Sequence, residues 1–354
     1  MFPKVTILWV NCNSSSFLNI ALDSLKAIRD FDYANFELII VDNNSTDGSF
    51  TEIENFLKKE RIDCKTIALE RNLGFTGGNN VAYSAKNTDS RYVILLNNDA
   101  VPTKESLSEL VDIMENDPTL GASQGVILNF DGRSIDTAGD YLSELLEATS
   151  LFKYENVQSL KKPIYSTSAD AAFSIFRVNA INSLTHLNGK MFDDLLFGYF
   201  DDHMLGLRLW NNSFKVKVFP IVTARHQRGS SFGKKLPLQV YLYMRNLVIL
   251  NEITNSRYRD LIRLSSLRKL SSLFFARILG LSVNQGDGET VALSSKAFTD
   301  GLRIGRAKRL AGDRIDLYKA PILEVQTSTA FLKTAISNQI AEHHLEKALS
   351  KIAV

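Results

Sequence analysis

The run YVILLNNDAV, residues 92–101, passes from apolar residues straight into Asn97, Asn98 and Asp99. A carboxylate at the end of an apolar strand is a hard oxygen donor suited to Mg²⁺ or Mn²⁺, and Mg²⁺ commonly takes one or two carboxylates together with substrate phosphates. A second acidic candidate is the pair Asp201 and Asp202 in FDDH, opening a helical pattern whose later face carries Leu205, Leu209 and Trp210. Both acids also suit the positive end of a helix with no further role. In ARHQRGSS, residues 224–231, a strand is followed by His226, Arg228 and Ser230. Imidazole is a common transition-metal donor, although a lone histidine is more often structural.

The elements that would position these groups follow from the apolar pattern. The N-terminal half alternates β-rich runs at 5–10, 36–42, 64–70 and 91–97 with helical patterns near 17–29, 48–59, 76–87 and 103–116. That alternation implies βαβ units and a mainly parallel sheet, which binds ligands beyond the carboxyl ends of its strands. Polar residues collect there: Asn11 and Asn13 after the first strand, Asp42 to Asn44 after the second, Arg71 and Asn72 after the third, Asn97 and Asp99 after the fourth. Each cluster alone reads equally well as turn and cap residues; the recurrence at four successive strand ends points to a ligand. The stretch NLGFTGGNN, residues 72–80, lacks GxGxxG, and the chain has no GxxxxGK[ST], which disfavours a dinucleotide dehydrogenase or a P-loop enzyme. Its glycines would serve a close backbone approach to a ligand or a tight helix start.

From about 120 to 235 the pattern is less regular, with strand candidates in GASQGVIL, SADAAFSIFR and FKVKVFPIVTARH and a helix from Asp201 onward. This reads as a second lobe receiving another substrate. The remainder, from about 238, reads as mostly helical, interrupted by the loop NQGDGET at 284–290. The domain expectation is therefore residues 1–237 as an α/β catalytic domain, divided near 118/119, with a helical extension over 238–354.

With 354 residues and 45% hydrophobic content, the chain can bury a sizeable core. A net charge of +2 excludes the strong basic excess of a nucleic-acid binder. Cys12 and Cys64 alone make no disulfide framework, which favours a reducing compartment, the cytoplasm. No signal peptide is evident, and no apolar run reaches the length of a bilayer span. Within 259–281, Leu264, Leu267, Leu270, Phe274 and Ile278 recur at helical spacing beside Arg263, Lys269 and Arg277. Such a face packs on its own domain, lies on an anionic membrane surface, or joins two copies of the chain.

Taken in order, VNCNSSSFL (10–18), IIVDNNSTDGS (39–49), RNLGFTGGNN (71–80), LLNNDAV (95–101), FDDLLFGYFDDHMLGLRL (192–209) and ARHQRGSS resemble an inverting family-2 glycosyltransferase of the GT-A fold, in particular its rhamnosyltransferase-like branch. The likeness covers roughly 4–250, with YMRN (243–246) and FTDGLRIGR (298–306) as looser matches. It implies a Rossmann-like sheet with an acceptor-binding lobe. It also implies that Asn11 and Asn13 line a nucleotide pocket, that Asp42 binds a pyrimidine base, and that Arg71, Asn72, Gly77 and Asn79 shape the wall. Asn97-Asn98-Asp99 would take the place of an Asp-x-Asp motif, with Asp99 and His226 holding Mg²⁺ or Mn²⁺. Asp202 would be the catalytic base, with Asp201, Arg228 and Ser230 on the acceptor side or in support. This chain departs from the family pattern at Asn97, His203-Met204 and Ser213.

The function implied is transfer of a sugar from a UDP- or dTDP-linked donor to a hydroxyl of a glycan or lipid-linked acceptor. Two other classes stand beside it. A nucleotide-sugar-binding protein without turnover would bind donor and neither transfer nor hydrolyse it. A nucleotidyltransferase would release pyrophosphate from a nucleoside triphosphate.

Overall fold

The structure is a computed structural model and describes residues 2–229, 236–266 and 286–325, with side chains from 237 and 292 onward in the last two stretches. Ser230, residues 267–281 of the amphipathic stretch and everything after 325 lie outside the described residues.

The apolar runs form β1 (Val5–Asn11), β2 (Phe36–Asp42), β3 (Lys65–Ala68) and β4 (Tyr92–Asn97), hydrogen-bonded in parallel in the order β3–β2–β1–β4. Their centres are continuous rather than alternating in hydrophobicity because helices cover both faces. On one face Ala21, Leu25 and Ile28 of α1 (Leu18–Arg29), Ile53 of α2 (Ser49–Glu60) and Leu110 of α4 (Ser106–Asn116) pack on Ile7, Trp9, Ile40 and Ile94. On the other, Ala82 and Tyr83 of α3 (Gly74–Ser84) pack on Leu8, Ile39, Val41 and Leu95. Fully buried side chains of this kind contribute about 1.5–3 kcal/mol each relative to exposure. β3 ends the sheet, and its Lys65, Thr66 and Ala68 are exposed, as suits an edge strand.

The second half makes the sheet mixed. A short β5 (Ala100–Pro102) follows Asp99, and β6 (Leu120–Asn129) carries the hairpin strand β7 (Ile135–Thr137). A small separate sheet contains β8 (Asp140–Ser143) and β9 (Ala148–Ser150). After β10 (Ile164–Tyr165), β11 (Phe173–Arg177) inserts antiparallel between β4 and β6, and β12 (Lys215–His226) runs parallel to β6. Helices α5 (Val178–Asn182) and α6 (Asp201–Asn211) lie between β11 and β12 in sequence. β5, β7 and the small sheet are absent from the sequence expectations, because elements of three or four residues have too little periodicity to register.

The C-terminal part shares its core with α6. Helix α7 (Leu236–Ile253) buries Ile249, Leu250 and Ile253 with Met204 and Leu207 of α6, and with Leu142 and Leu146. A helix over Gly286–Leu310 lies against α7. Within FTDGLRIGR, a β-carbon at Gly301 would come 2.7 Å from the Arg245 carbonyl, and one at Gly305 would come 2.6 Å from Glu252 Cβ. Those glycines therefore permit the close crossing. This helix begins at Gly286, inside the stretch read as the loop NQGDGET; glycines at a helix end carry less weight as breakers than the tertiary contacts of the turns that follow. The chain returns through β13 (Ile322–Leu323), which adds a parallel strand to β8. Among the described residues no helix is long and apolar enough to cross a membrane.

Arg208 of α6 is 4% exposed and donates from both terminal nitrogens to Asp313, at 2.9 and 3.0 Å. Burial alone would push the Asp313 carboxyl up, but the hydrogen bonds and charge of Arg208 outweigh it and hold it below its ordinary value. Asp313→Asn leaves a buried guanidinium without its counter-ion and should lower the unfolding free energy by about 3 kcal/mol at neutral pH, measured by urea denaturation. Because the folded-state pKa is depressed, the contribution is complete above the ordinary carboxylate value and is lost as pH falls through the folded one. The gap between wild type and variant should therefore narrow in acid; a gap independent of pH would contradict this pairing.

Candidate active site

The carboxyl ends of β1 and β4 and the end of β12 open into a chamber of about 670 Å³. Its walls include Asn13, Asn72, Asn79, Asn97, Asn98, Asp99, His226 and Arg228, which the sequence had singled out, together with Asn43, Phe197 and Tyr199. Local geometry sets several of these. Asn13 sits at φ 52°, a left-handed position that asparagine tolerates, and its side-chain oxygen accepts from Thr46 N at 2.8 Å. Asn72 accepts from Gly74 N at 2.7 Å, and Asn43 bridges the Leu73 N–H and the Gly74 carbonyl at 2.8 and 2.9 Å.

A ladder of charge-assisted hydrogen bonds crosses the floor. Asp99 Oδ1 lies 3.1 Å from His226 Nε2, and His226 Nδ1 lies 2.9 Å from Asp136 Oδ2. Arg228 Nε donates to the other oxygen of Asp136 at 2.6 Å, and its Nη2 donates to Asp170 at 2.5 Å. Sheet register builds the ladder. β5 pairs antiparallel with the end of β12, with His226 opposite Ala100, so the imidazole falls beside Asp99. β7 pairs with β6 next to the same end of β12 and supplies Asp136. Asp170 precedes β11, whose antiparallel direction brings its start to the edge where the parallel strands finish. Burial opposes charge on His226, but the bonds to Asp136 and Asp99 prevail and raise its pKa to about 9. Burial likewise disfavours charge on Asp170, yet the neighbouring Arg228 and His226 hold its carboxyl below the ordinary value.

Beside the ladder lie acids of the opposite tendency. Burial, then the neighbouring carboxylates of Asp201, Asp170 and Asp140, push Asp202 well above its ordinary value. Its Oδ2 lies 3.5 Å from Ala171 N, and its Oδ1 is buried with no hydrogen-bond partner among the described residues. Asp201 is raised to about 6, chiefly by burial, and Asp140 to about 7 by burial and the charge of Asp170. Burial lowers His203 to about 4, leaving a neutral ring at neutral pH. A half-buried carboxyl held against ionisation, with one oxygen unpartnered among the described residues, is suited to taking a proton, while the ladder presents cationic groups and a carboxylate to an anionic ligand.

Other singled-out residues are placed differently. Asn11 is fully buried: it donates to Asp42 at 3.0 Å and accepts from Asn98 at 3.1 Å and Ser14 at 2.6 Å. Asp42, 5% exposed, accepts from Asn11 and from the hydroxyl and amide of Ser45, so one lone pair remains for any ligand. Both stand behind the chamber wall. Arg71 and Gly77 line a neighbouring groove of about 650 Å³ that meets the chamber at Phe197. The glycines of NLGFTGGNN serve packing in addition to the helix start: a β-carbon at Gly78 would lie 2.9 Å from Val10 of β1. Asn43 belongs to the polar cluster noted after the second strand, whereas Asp136, Asp140, Asp170, Phe197 and Tyr199, which stand in or beside the chamber, were not singled out from the sequence. A single acid within the apolar run SADAAFSIFR was the signal available for Asp170.

The sequence profile described as Glycosyl transferase family 2 matches residues 6–184, half of the chain. The chain belongs to glycosyl transferase family 2. Among curated relatives, the poly(ribitol-phosphate) beta-N-acetylglucosaminyltransferase TarS of Staphylococcus aureus is 29% identical over 127 residues, 35% of this chain and 21% of the relative. The match thus spans about a fifth of that relative's length. In three dimensions this family-2 chain is similar to S. aureus TarS 1-349 in complex with UDP-GlcNAc, with a TM-score of 0.51 and 16% identity over 88% of this chain and 92% of that one. It is also similar to the mannosyltransferase PcManGT from Pyrobaculum calidifontis in complex with GDP-Man and Mn²⁺, at TM-score 0.51 and 15% identity over 99% and 87%. For GalNAc-T7 with UDP, GalNAc and Mn²⁺ the TM-score is 0.56, at 13% identity over 88% and 58%. These likenesses establish the GT-A glycosyltransferase fold.

Gly74 joins the chamber wall to the loop before α6. It has φ +74°, and a β-carbon there would lie 2.3 Å from the Phe197 carbonyl oxygen. Gly74→Ala should lower stability by about 1–3 kcal/mol and weaken nucleotide binding, because the backbone conformation and the Phe197 contact must both give way. Thermal unfolding and calorimetry check both; wild-type values in both would show that the contact is not needed.

Proposed function

We propose that this family-2 glycosyltransferase moves a sugar from a uridine- or thymidine-diphosphate sugar to a hydroxyl of a glycan or lipid-linked acceptor, inverting the anomeric carbon. The observation that carries the reading is the Asp99–His226–Asp136–Arg228–Asp170 ladder at the mouth of the strands. The donors bound in the similar structures, UDP-GlcNAc and GDP-Man, support a nucleotide-sugar ligand.

Asp99 and His226 would hold a divalent cation once the imidazole gives up the Nε2 proton it shares with Asp99, the cation taking that proton's place between them. Asp136 holds Nδ1 of the imidazole, so Nε2 faces the carboxylate of Asp99, a carboxylate–histidine arrangement typical of metal sites. Two such side chains leave the remaining positions for diphosphate oxygens and water. Bound there, Mg²⁺ or Mn²⁺ would act as a Lewis acid on the departing diphosphate. Arg228 adds a guanidinium on the same side. Asn13, Asn72, Asn79, Asn97 and Asn98 offer amide donors and acceptors to the nucleotide, and Asp42, Arg71 and Gly77 keep the base- and wall-binding roles that family likeness implies. Asp202 receives the proton of the acceptor hydroxyl as its oxygen bonds to the anomeric carbon, and the carbon–oxygen bond to the nucleoside diphosphate breaks with the electron pair leaving on the diphosphate. Asp201 and Asp170 favour that transfer by raising the proton affinity of Asp202. A sequence with two cysteines and no disulfide framework supports a cytoplasmic setting.

Calorimetry with a panel of nucleoside diphosphates, with and without Mn²⁺, tests the pocket. One pyrimidine diphosphate should bind in a Mn²⁺-dependent way, and Asp99→Ala should cost at least tenfold in that affinity; binding indifferent to Mn²⁺ would make Asp99 a turn residue.

Asp202→Asn should reduce transfer at least a thousandfold while donor binding changes less than threefold. In the wild type, kcat should fall on acidification through a pKa above the ordinary aspartate value, since the base acts only when deprotonated. Equal loss of transfer and binding would remove Asp202 from this role. Donor binding without transfer or hydrolysis would mark a binding protein, and pyrophosphate release a nucleotidyltransferase.

A further inference from the structure

The loop that enters α6 has an uncommon backbone. Phe197, Tyr199 and Phe200 have φ of 64°, 67° and 62°. Side chains with a β-carbon are disfavoured in this left-handed region, and large aromatic ones persist there only where surrounding contacts over-determine the conformation. Those contacts come from the YMRN stretch of α7. Asn246, fully buried, donates from Nδ2 to the carbonyls of Leu196, Gly198 and Tyr199 at 3.0, 2.8 and 3.0 Å. Arg245 Nη2 donates to the carbonyls of Leu195 and Leu196 at 2.6 and 2.8 Å, and its Nε donates to Asn246 Oδ1 at 2.9 Å, which fixes the amide's orientation. The Tyr243 ring packs on Tyr199 and Phe200, with centroids 6.3 and 5.0 Å apart.

What the clamp holds is functional surface. Phe197 and Tyr199 line the chamber. The Phe200 carbonyl accepts from Met204 N at 2.9 Å, closing the turn that carries Asp201 and Asp202. A loop serving only as a connection would gain nothing from left-handed aromatics; one that must set both the chamber wall and the direction of the next helical turn does.

We infer that Arg245 and Asn246 are positioning residues for the transfer step: by gripping the carbonyls of Leu195, Leu196, Gly198 and Tyr199 they hold the left-handed backbone of this loop and so aim the first turn of α6, with Asp202, at the acceptor. The inference rests on Asp202 as the proton acceptor. Arg245 acts from the partly exposed side of the grip, so it can be altered with less risk to folding than Asn246.

The test compares Arg245→Ala, Arg245→Lys and Asp202→Asn with wild type. UDP-GlcNAc with Mn²⁺ is the turnover probe, with water as acceptor; UDP with Mn²⁺ is the binding probe; and hydrogen–deuterium exchange is followed at 196–204. Arg245→Ala should lower kcat at least tenfold, leave the UDP dissociation constant within twofold, and speed exchange at 196–204 at least tenfold while β1 stays unchanged. Arg245→Lys, which still donates to carbonyls, should recover most of the turnover. Wild-type kcat in Arg245→Ala, equal loss of turnover and UDP binding, or unchanged exchange at 196–204 would each overturn the inference. Should wild type not turn over UDP-GlcNAc, the same comparison is made with other UDP- and dTDP-linked sugars, and unchanged exchange at 196–204 overturns the inference with any of them. Failure of the base assignment is a separate outcome, seen as wild-type turnover in Asp202→Asn whatever Arg245 does.

Discussion

The site depends on one carboxylate shared by two cations. Asp136 spends one oxygen on His226 and the other on Arg228, and through them it joins Asp99 to Asp170. Buried charges are tolerable only when paired and hydrogen-bonded, so each member of this ladder makes the next affordable. Its members come from β7, from the end of β12 and the residues just after it, and from the loops after β4 and before β11. The mixed half of the sheet thus brings counter-charges to the edge that the parallel half opens. Burial and the same crowd of acids push Asp202 well above its ordinary value.

Behind that edge the C-terminal helices act as a frame. Arg208 ties α6 to Asp313, Asn211 donates to the Asp316 carbonyl at 3.0 Å, and Lys308 pairs with Asp193 in the loop before α6. These contacts hold α6 and the segment before it, and Arg245 and Asn246 secure the loop at its start. The residues after 238 therefore share one core with α6, and the glycines of FTDGLRIGR matter because they let two helices close upon it.

Much of the parallel half was legible. Runs such as VTILWV and YVILLN are too apolar for anything but buried strands, and helix periodicity located α1, α2 and α4 to within a few residues. Asp99, His226 and Arg228 were picked out from residue type and from their place after strands, and the structure brings them together. Asp170 is a single acid before an apolar run, and Asp136 lies in the polar, glycine-containing run DGRSIDTAGD, which reads as a turn rather than as a strand. Asp42 and Asn11 were legible as polar residues at strand ends, but their mutual hydrogen bond and burial were not, and Arg71 was placed on the correct strand end without any sign that Phe197 divides its groove from the chamber.

By itself, then, the sequence determined the elements, their order and the kinds of donor and acceptor at the strand ends, because periodicity and turn chemistry act over a few neighbouring residues. Only the tertiary structure decided which of those groups meet. The bond from His226 to Asp136 spans 90 residues and that to Asp99 spans 127, and both follow from the register of β12 against β5 and β6, a choice made by the packing of the whole sheet. The proton affinity of Asp202 has the same origin, since burial and neighbouring carboxylates set it and neither exists until the chain has folded.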